Sequence, residues 1–211
     1  MGDRLAFSRQ HIIGTVLNIG VGDGPGGITE MPTTTNFDLD RYEHHRFVQG
    51  DAHRLTEYFP EKSFDTVLLA DCLEHMVDPE KALIEASKVA RRRIVITAPW
   101  DNRYPTGQHI EAARVEQETP QAKIALQQWY DWQKQYQGKF REKFPELESE
   151  GGFSHGPTIN TLSDEWLRSM IAKTGWKITV WEFFPEGETG YSNWGICLEP
   201  PVEGLDCLEP A

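Results

Sequence analysis

Thr15-Val16-Leu17-Asn18-Ile19 runs without a break into Gly20-Val21-Gly22-Asp23-Gly24-Pro25-Gly26-Gly27. A short β-branched run that empties into a glycine-rich turn belongs to few architectures. It is the pattern of a buried parallel strand, followed by a loop in which the backbone turns sharply and lets a ligand come close. Gly22-x-Gly24-x-x-Gly27 also matches a dinucleotide fingerprint. Taken alone, the segment also fits, less well, a tight strand-to-helix loop with no ligand.

The rest of the chain repeats the theme. Thr34 to Asp38, Arg46 to Gln49 and Phe64 to Ala70 read as further strands, and Ile94 to Ala98 as a fifth, stopped by Pro99. Asp78-Pro79 opens a helix, with Asp as N-cap and Pro at the first helical position, and Ala82, Leu83, Ala86, Val89 and Ala90 form its apolar stripe. Arg91-Arg92-Arg93 reads as that helix's C-terminus, cations set against the dipole. Ser163 caps a last helix carrying Trp166, Leu167, Met170 and Ile171, and Gly175 ends it; strands follow at Lys177 to Phe183 and Asn193 to Leu198. Alternating strands and helices imply a mainly parallel sheet with helices on its faces, whose ligands bind beyond the carboxyl ends of the strands.

Between Trp100 and about Gly156 the pattern changes. Thr119-Pro120 begins a helix with Ala125, Trp129, Trp132, Tyr136 and Phe140 on one face. Residues 100–156 are read as a helical lid inserted after the fifth strand of a single domain spanning 1–211, with 199–211 a flexible tail. The aromatic face would dock on the core or on a second copy of the chain, a homodimer contact, while the lid tip selects the substrate.

Charge narrows the partners. The formal net charge is −12, which opposes nucleic acid, since phosphate binding needs a basic footprint. No apolar run approaches the roughly 20 residues that cross a bilayer, and the N-terminus lacks the features of a secretory signal. Cys72, Cys197 and Cys207 have no CxxC spacing, so neither a disulfide framework nor a zinc site is expected, and the location expected is cytoplasmic. Asp38 ends the second strand, 18 residues beyond Gly20. A carboxylate there can accept two hydrogen bonds from a ribose diol, an arrangement shared by nicotinamide and S-adenosylmethionine enzymes.

What separates the two lies in the ordered motifs VLNIGVGDG (Val16 to Gly24), FDLD (Phe37 to Asp40), GDAHRL (Gly50 to Leu55), SFDTVLLADCLEHMVDPEKAL (Ser63 to Leu83) and IVITAP (Ile94 to Pro99). With them the chain resembles the class I S-adenosylmethionine-dependent methyltransferases, in particular the ubiquinone-biosynthesis-type (methyltransferase type 11) group. The resemblance covers about the first half of the chain, fades through the insertion and returns faintly from Leu162 to Val180. It implies an α/β, Rossmann-like, mostly parallel seven-stranded sheet and S-adenosylmethionine as cofactor, with S-adenosylhomocysteine as product. It also implies roles. Gly20, Val21 and Gly22 would lie under the methionine part, Asp38 would hold the ribose hydroxyls and Leu39 would pack on the adenine. Asp51 would accept the adenine amino group with Ala52 as backbone donor, and Ala70, Asp71 and Cys72 would line the methionine side. Three departures stand out: Asn18 where the family usually has an acid to hold the cofactor's amino end, a short 28–35 stretch with Pro32 that predicts a truncated first helix, and the Arg91-Arg92-Arg93 run in place of a glycine-rich turn.

Methyl transfer from a sulfonium is a one-step displacement that needs alignment, exclusion of water and, for some acceptors, a base. Among the histidines, His109, after the fifth strand, and His75, beyond the fourth, are the candidate catalytic bases, with His155 a further residue that would face the substrate. His53 would brace the adenine segment, and His44 and His45 read as solvent-exposed loop residues. No metal is expected. The acceptor is expected to be a small molecule, apolar or aromatic, methylated at oxygen or nitrogen. The rivals are a catalytically inactive partner subunit that keeps the fold, an RNA or protein methyltransferase, and a nicotinamide oxidoreductase.

Overall fold

In a computed structural model of the chain, the structure describes residues 4–22, 27–76, 78–100, 107–108, 160–184 and 192–201. Nine strands are seen among these residues: β1 (Val16–Ile19), β2 (Thr34–Asp38), β3 (Phe47–Gln49), β4 (Phe64–Ala70), β5 (Ala90–Trp100), β6 (Gly107–Gln108), β7 (Asn160–Thr161), β8 (Lys177–Phe184) and β9 (Ser192–Glu199). Seven of them form one sheet in the order β3-β2-β1-β4-β5-β9-β8. The first five are parallel, and β9 enters antiparallel between β5 and β8. The order reverses at β1, which therefore has β2 on one side and β4 on the other. That switch point is where an open α/β sheet leaves a crevice.

Apolar alternation divides the two faces. Leu17 and Ile19 of β1, Val67 and Leu69 of β4 and Ile94, Ile96 and Ala98 of β5 pack with α2 (Pro79–Val89) and with a last helix, α3 (Asp164–Thr174). Val16, Leu68, Val95 and Cys197 face the other way, onto Phe7 of an N-terminal helix, α1 (Arg4–His11). Helix α2 begins as the sequence predicts, with Asp78 Oδ1 accepting from the Lys81 amide at 2.9 Å and Pro79 in the first turn. Helix α3 is capped by Ser163, whose Oγ accepts from the Trp166 amide at 3.1 Å, and ends at Gly175 in the left-handed region, φ +74°. Each cap is worth about 1 kcal/mol, small beside the burial of Leu83, Ala86, Leu167, Met170 and Ile171.

Several expectations are corrected. Arg91-Arg92-Arg93 is not a helix end: α2 stops at Val89, and the three arginines already belong to β5. Strand geometry sends them elsewhere. Arg91 binds Asp65, and Arg93 binds Glu199 of β9. Pro99 does not stop β5 either. Pairing with β4 ends at Thr97, but β9 continues alongside to Trp100, so Pro99 needs a ladder partner on one side only. Residues 27–30 form turns, and among the described residues no helix lies between β1 and β2. Helix α1 carries little periodicity; among its described side chains only Phe7 and Ser8 are fully buried. The lid helix, its aromatic face, His109, His155 and the tail beyond residue 201 lie outside the described residues. The strands β6 and β7 pair antiparallel with each other.

At the amino end of the sheet, Asp65 ties β4 to the chain entering β1. Its Oδ2 accepts from the Thr15 amide (3.0 Å) and hydroxyl (3.1 Å), and its Oδ1 accepts from Arg91. The Thr15 amide and the Arg91 guanidinium hold this carboxyl at about 2, against an ordinary value of 3.8. A depressed acid contributes stability above its unfolded value and loses it as pH falls through the folded value. Stability therefore drops between pH 4 and pH 2. Asp65→Ala is expected to cost about 2–4 kcal/mol at neutral pH and to flatten that acid limb, read from urea midpoints at a series of pH values. An unchanged acid limb in the variant would refute the assignment.

Candidate functional site

The crevice at the switch point is built from backbone first. Gly20, just past β1, has φ +70° and donates its amide to the Phe37 carbonyl at 2.9 Å. A β-carbon at this position would lie 2.5 Å from Cys72 Cβ, so the tips of β1 and β4 approach too closely for any side chain. Gly22, also left-handed at φ +58°, donates its amide to Asp38 Oδ2 at 3.1 Å. The Asp40 amide reaches Asp38 Oδ1 at 3.0 Å. With a third backbone bond from Leu39, the carboxylate is held from several sides and still keeps acceptor capacity toward a vicinal diol. Burial lifts the Asp38 carboxyl to about 6, above its ordinary value of 3.8, although the Gly22 and Asp40 amides work against the shift.

Beside Asp38, Leu39 is half-buried, and its carbonyl is held by Gln49 Nε2 at 2.9 Å. Asp51 begins a short 3-10 helix, Ala52–Glu57, and its Oδ1 accepts from the His53 amide (3.0 Å) and pairs with His53 Nδ1 (2.6 Å). His53 Nε2 accepts from the Asp78 amide at 3.3 Å, which places the ring proton on Nδ1. Burial pushes the Asp51 carboxyl up, yet its bonds to His53 outweigh that and leave it below its ordinary value. It remains a carboxylate, with Oδ1 spoken for and Oδ2 turned to Arg54 at 4.0 Å. The same 3-10 helix is pinned to α2 by Glu85, which accepts from the Thr56 amide and hydroxyl at 3.1 and 2.8 Å.

On the β4 side, Ala70 pairs with Thr97 of β5. Asp71 follows in the left-handed region, φ +47°, costly for a residue with a β-carbon. Two bonds hold it there: its amide donates to the Thr97 carbonyl and its Oδ1 accepts from the Thr97 hydroxyl, both at 2.8 Å. The chain then enters a 3-10 turn, Leu73–His75. Burial pushes the Cys72 thiol far above its ordinary range, so it stays protonated and serves as packing against Gly20. His75 is half-buried, with Nε2 3.7 Å from Glu74 Oε1.

The structure therefore brings Gly20, Val21, Gly22, Asp38, Leu39, Asp51, Ala52, Ala70, Asp71 and Cys72 to the carboxyl ends of β1, β2, β3 and β4, with His75 just beyond β4. Asn18 differs. It is buried inside β1, and its Nδ2 donates to Asn36 Oδ1 of the neighbouring strand at 3.4 Å. Two residues escaped sequence reasoning. Thr97 anchors Asp71, but one threonine in an apolar strand carries no signal. His44, expected to face solvent, is half-buried and places Nε2 2.7 Å from the Gly22 carbonyl; its polar neighbours hid this. Among the described residues, no group of three or more His, Cys, Asp or Glu is placed to hold a metal ion. No helix among them is long and apolar enough to cross a membrane.

Residues 28–95 match the family described as a methyltransferase domain. No curated protein sequence matches the chain. Among solved structures it is similar to the 1,6-didemethyltoxoflavin-N1-methyltransferase of Burkholderia thailandensis, crystallised with 1,6-didemethyltoxoflavin and S-adenosylhomocysteine. The two share 13% identity with a TM-score of 0.59, over 93% of this chain and 76% of that one. A SAM-dependent methyltransferase of Methanosarcina mazei gives 14% identity and a TM-score of 0.54, over 93% and 97% of the two chains. The YcgJ protein of Bacillus subtilis gives 15% and 0.54, again over 93% and 97%. At such identities the likeness is one of fold.

Proposed function

We infer that this chain, a class I S-adenosylmethionine-dependent methyltransferase of the type 11 group by its match over residues 28–95 and its sheet order, methylates oxygen or nitrogen of a small molecule. The observation that carries the reading is Asp38. It is a carboxylate at the end of the second strand, tied to a left-handed glycine of the preceding turn and left with acceptor capacity for a ligand hydroxyl.

The residues present fit the cofactor. Asp38 would hold the ribose hydroxyls, Asp51 the adenine amino group, and the glycine turn with Ala70 and Asp71 the methionine part. When bound, S-adenosylmethionine supplies a methyl group on a positively charged sulfur. The chain's own contribution is to position and to exclude water. Thr97 fixes Asp71 in a conformation it would otherwise avoid, and Cys72 fills the space beneath Gly20 with a neutral thiol. His75, at the turn past β4, and His109, beyond β5, are the proposed proton acceptors for an acceptor substrate that must lose a proton.

Two things support a small acceptor. The net charge of −12 would repel a polyanion. The Burkholderia thailandensis enzyme of similar fold was crystallised with bound 1,6-didemethyltoxoflavin and S-adenosylhomocysteine. We propose 100–156 as the lid that selects the acceptor, and a cytoplasmic location. The test is turnover: purified protein with S-adenosylmethionine and a panel of phenols, carboxylates, amines and N-heterocycles, read as S-adenosylhomocysteine released. Release with at least one acceptor, abolished by Asp38→Ala, is expected. Tight cofactor binding with no release across the panel would overturn the reading in favour of a non-catalytic partner subunit.

A further inference from the structure

We propose that His44 is a positioning residue that latches the glycine turn in the shape the cofactor needs. The proposal rests on the cofactor reading above and deepens it. Gly22 is held from both sides. Its amide donates to Asp38 Oδ2 at 3.1 Å, and its carbonyl lies 2.7 Å from His44 Nε2. A carbonyl only accepts, so Nε2 carries the hydrogen and donates it. Gly22 sits at φ +58°, where a free glycine is no more at home than on the other side of the map. Two bonds, from residues 16 and 22 positions away, choose one conformation out of many. The ordering is done before any ligand arrives, so binding does not have to supply it.

The direction of the second bond matters as much as its strength. A peptide oxygen turned toward an anionic group repels it, while peptide N–H groups attract it. With its oxygen engaged by His44, Gly22 cannot turn that oxygen into the crevice.

The latch is itself well founded. The His44 ring packs against Tyr42 and Phe47, with centroids 6.0 and 6.4 Å away. The carbonyl of the next residue, His45, accepts from Asn36 Nδ2 at 2.7 Å, and the same nitrogen bonds the Thr29 carbonyl at 2.8 Å. Arg46 then reaches the Pro32 carbonyl at 3.0 Å. The segment after β2 is thus fastened both to β2 and to the chain that leaves the glycine turn.

Two substitutions separate the ring from the donor. His44→Phe keeps the stacking on Tyr42 and Phe47 and loses the N–H; His44→Gln keeps an N–H donor and loses the ring. Each is titrated calorimetrically with S-adenosylhomocysteine, and in the free proteins the hydrogen exchange of the Gly22 amide is followed by NMR. His44→Phe is expected to bind about five- to tenfold more weakly, the loss of one hydrogen bond, and to exchange faster at Gly22. His44→Gln is expected to stay within about twofold of wild type in affinity, less than half the loss of that one bond. Equal affinity and equal exchange in wild type and His44→Phe would overturn the latch, as would equal loss in both variants, the mark of a general packing role. Failure of wild type to bind would sink the cofactor reading, while the exchange comparison still decides whether His44 holds the turn.

Discussion

Asp38→Ala is expected to weaken binding of S-adenosylhomocysteine by about 100-fold or more. Two hydrogen bonds from a ribose diol to a carboxylate are each worth about 1.5–3 kcal/mol, and each 1.4 kcal/mol is about tenfold in affinity. The substitution also releases the Gly22 and Asp40 amides that the carboxylate holds, so the turn loosens as the ligand contact goes. The pH dependence carries the same signature. Burial lifts this acid to about 6 in the free protein, and a diol needs the ionised form with both oxygens accepting. Affinity is therefore full above about pH 7 and falls as pH drops through 6, approaching about tenfold per unit at lower pH. Asp38→Asn, which cannot titrate, binds weakly and shows no such limb. A wild-type affinity that is flat from pH 5 to pH 8 would assign the ribose contact elsewhere.

Gly20→Ala is expected to damage fold and site together. The added β-carbon would stand 2.5 Å from Cys72 Cβ, with the backbone at φ +70°. Left-handed strain costs about 1–2 kcal/mol, and overpacking against a buried neighbour about 1–3 kcal/mol more. Neither neighbour yields easily, because Cys72 follows Asp71, which Thr97 clamps. We expect a loss of about 2–5 kcal/mol in unfolding free energy, read from denaturant unfolding curves, and no measurable binding of S-adenosylhomocysteine. Pairing the change with Cys72→Gly removes the obstructing carbon and is expected to restore part of the stability lost, though not the conformational part. A single variant as stable as wild type would mean that the two strand tips are not in the contact described.

Much of this fold is legible in the amino-acid sequence. Apolar strands ending in glycine or aspartate put β1, β2 and β4 in place, and Asp78-Pro79 and Ser163 with Gly175 marked two helices, because caps and left-handed stops are local chemistry. What escaped detection was non-local. Arg91-Arg92-Arg93 looks like a helix end by composition, yet the partner that decides its fate is Asp65, 26 residues earlier. Pro99 looks like a strand stop, until β9 arrives nearly a hundred residues later to pair with it. His44 sits among exposed polar neighbours, and only the fold brings Gly22 to it. Asn18 shows no local sign of its partner either: its amide nitrogen bonds Asn36 on the neighbouring strand. Signals carried within a few residues could be read; signals that depend on which strand lies beside which could not.

Calorimetric titration of the purified protein with S-adenosylhomocysteine, beside NADH as comparator, tests most directly whether the crevice between β1, β2 and β4 binds S-adenosylmethionine. We expect saturable one-to-one binding of S-adenosylhomocysteine at micromolar strength or better, severely weakened by Asp38→Ala, and none for NADH. No binding of S-adenosylhomocysteine to the wild-type protein, or binding that Asp38→Ala leaves intact, would contradict that reading of the crevice.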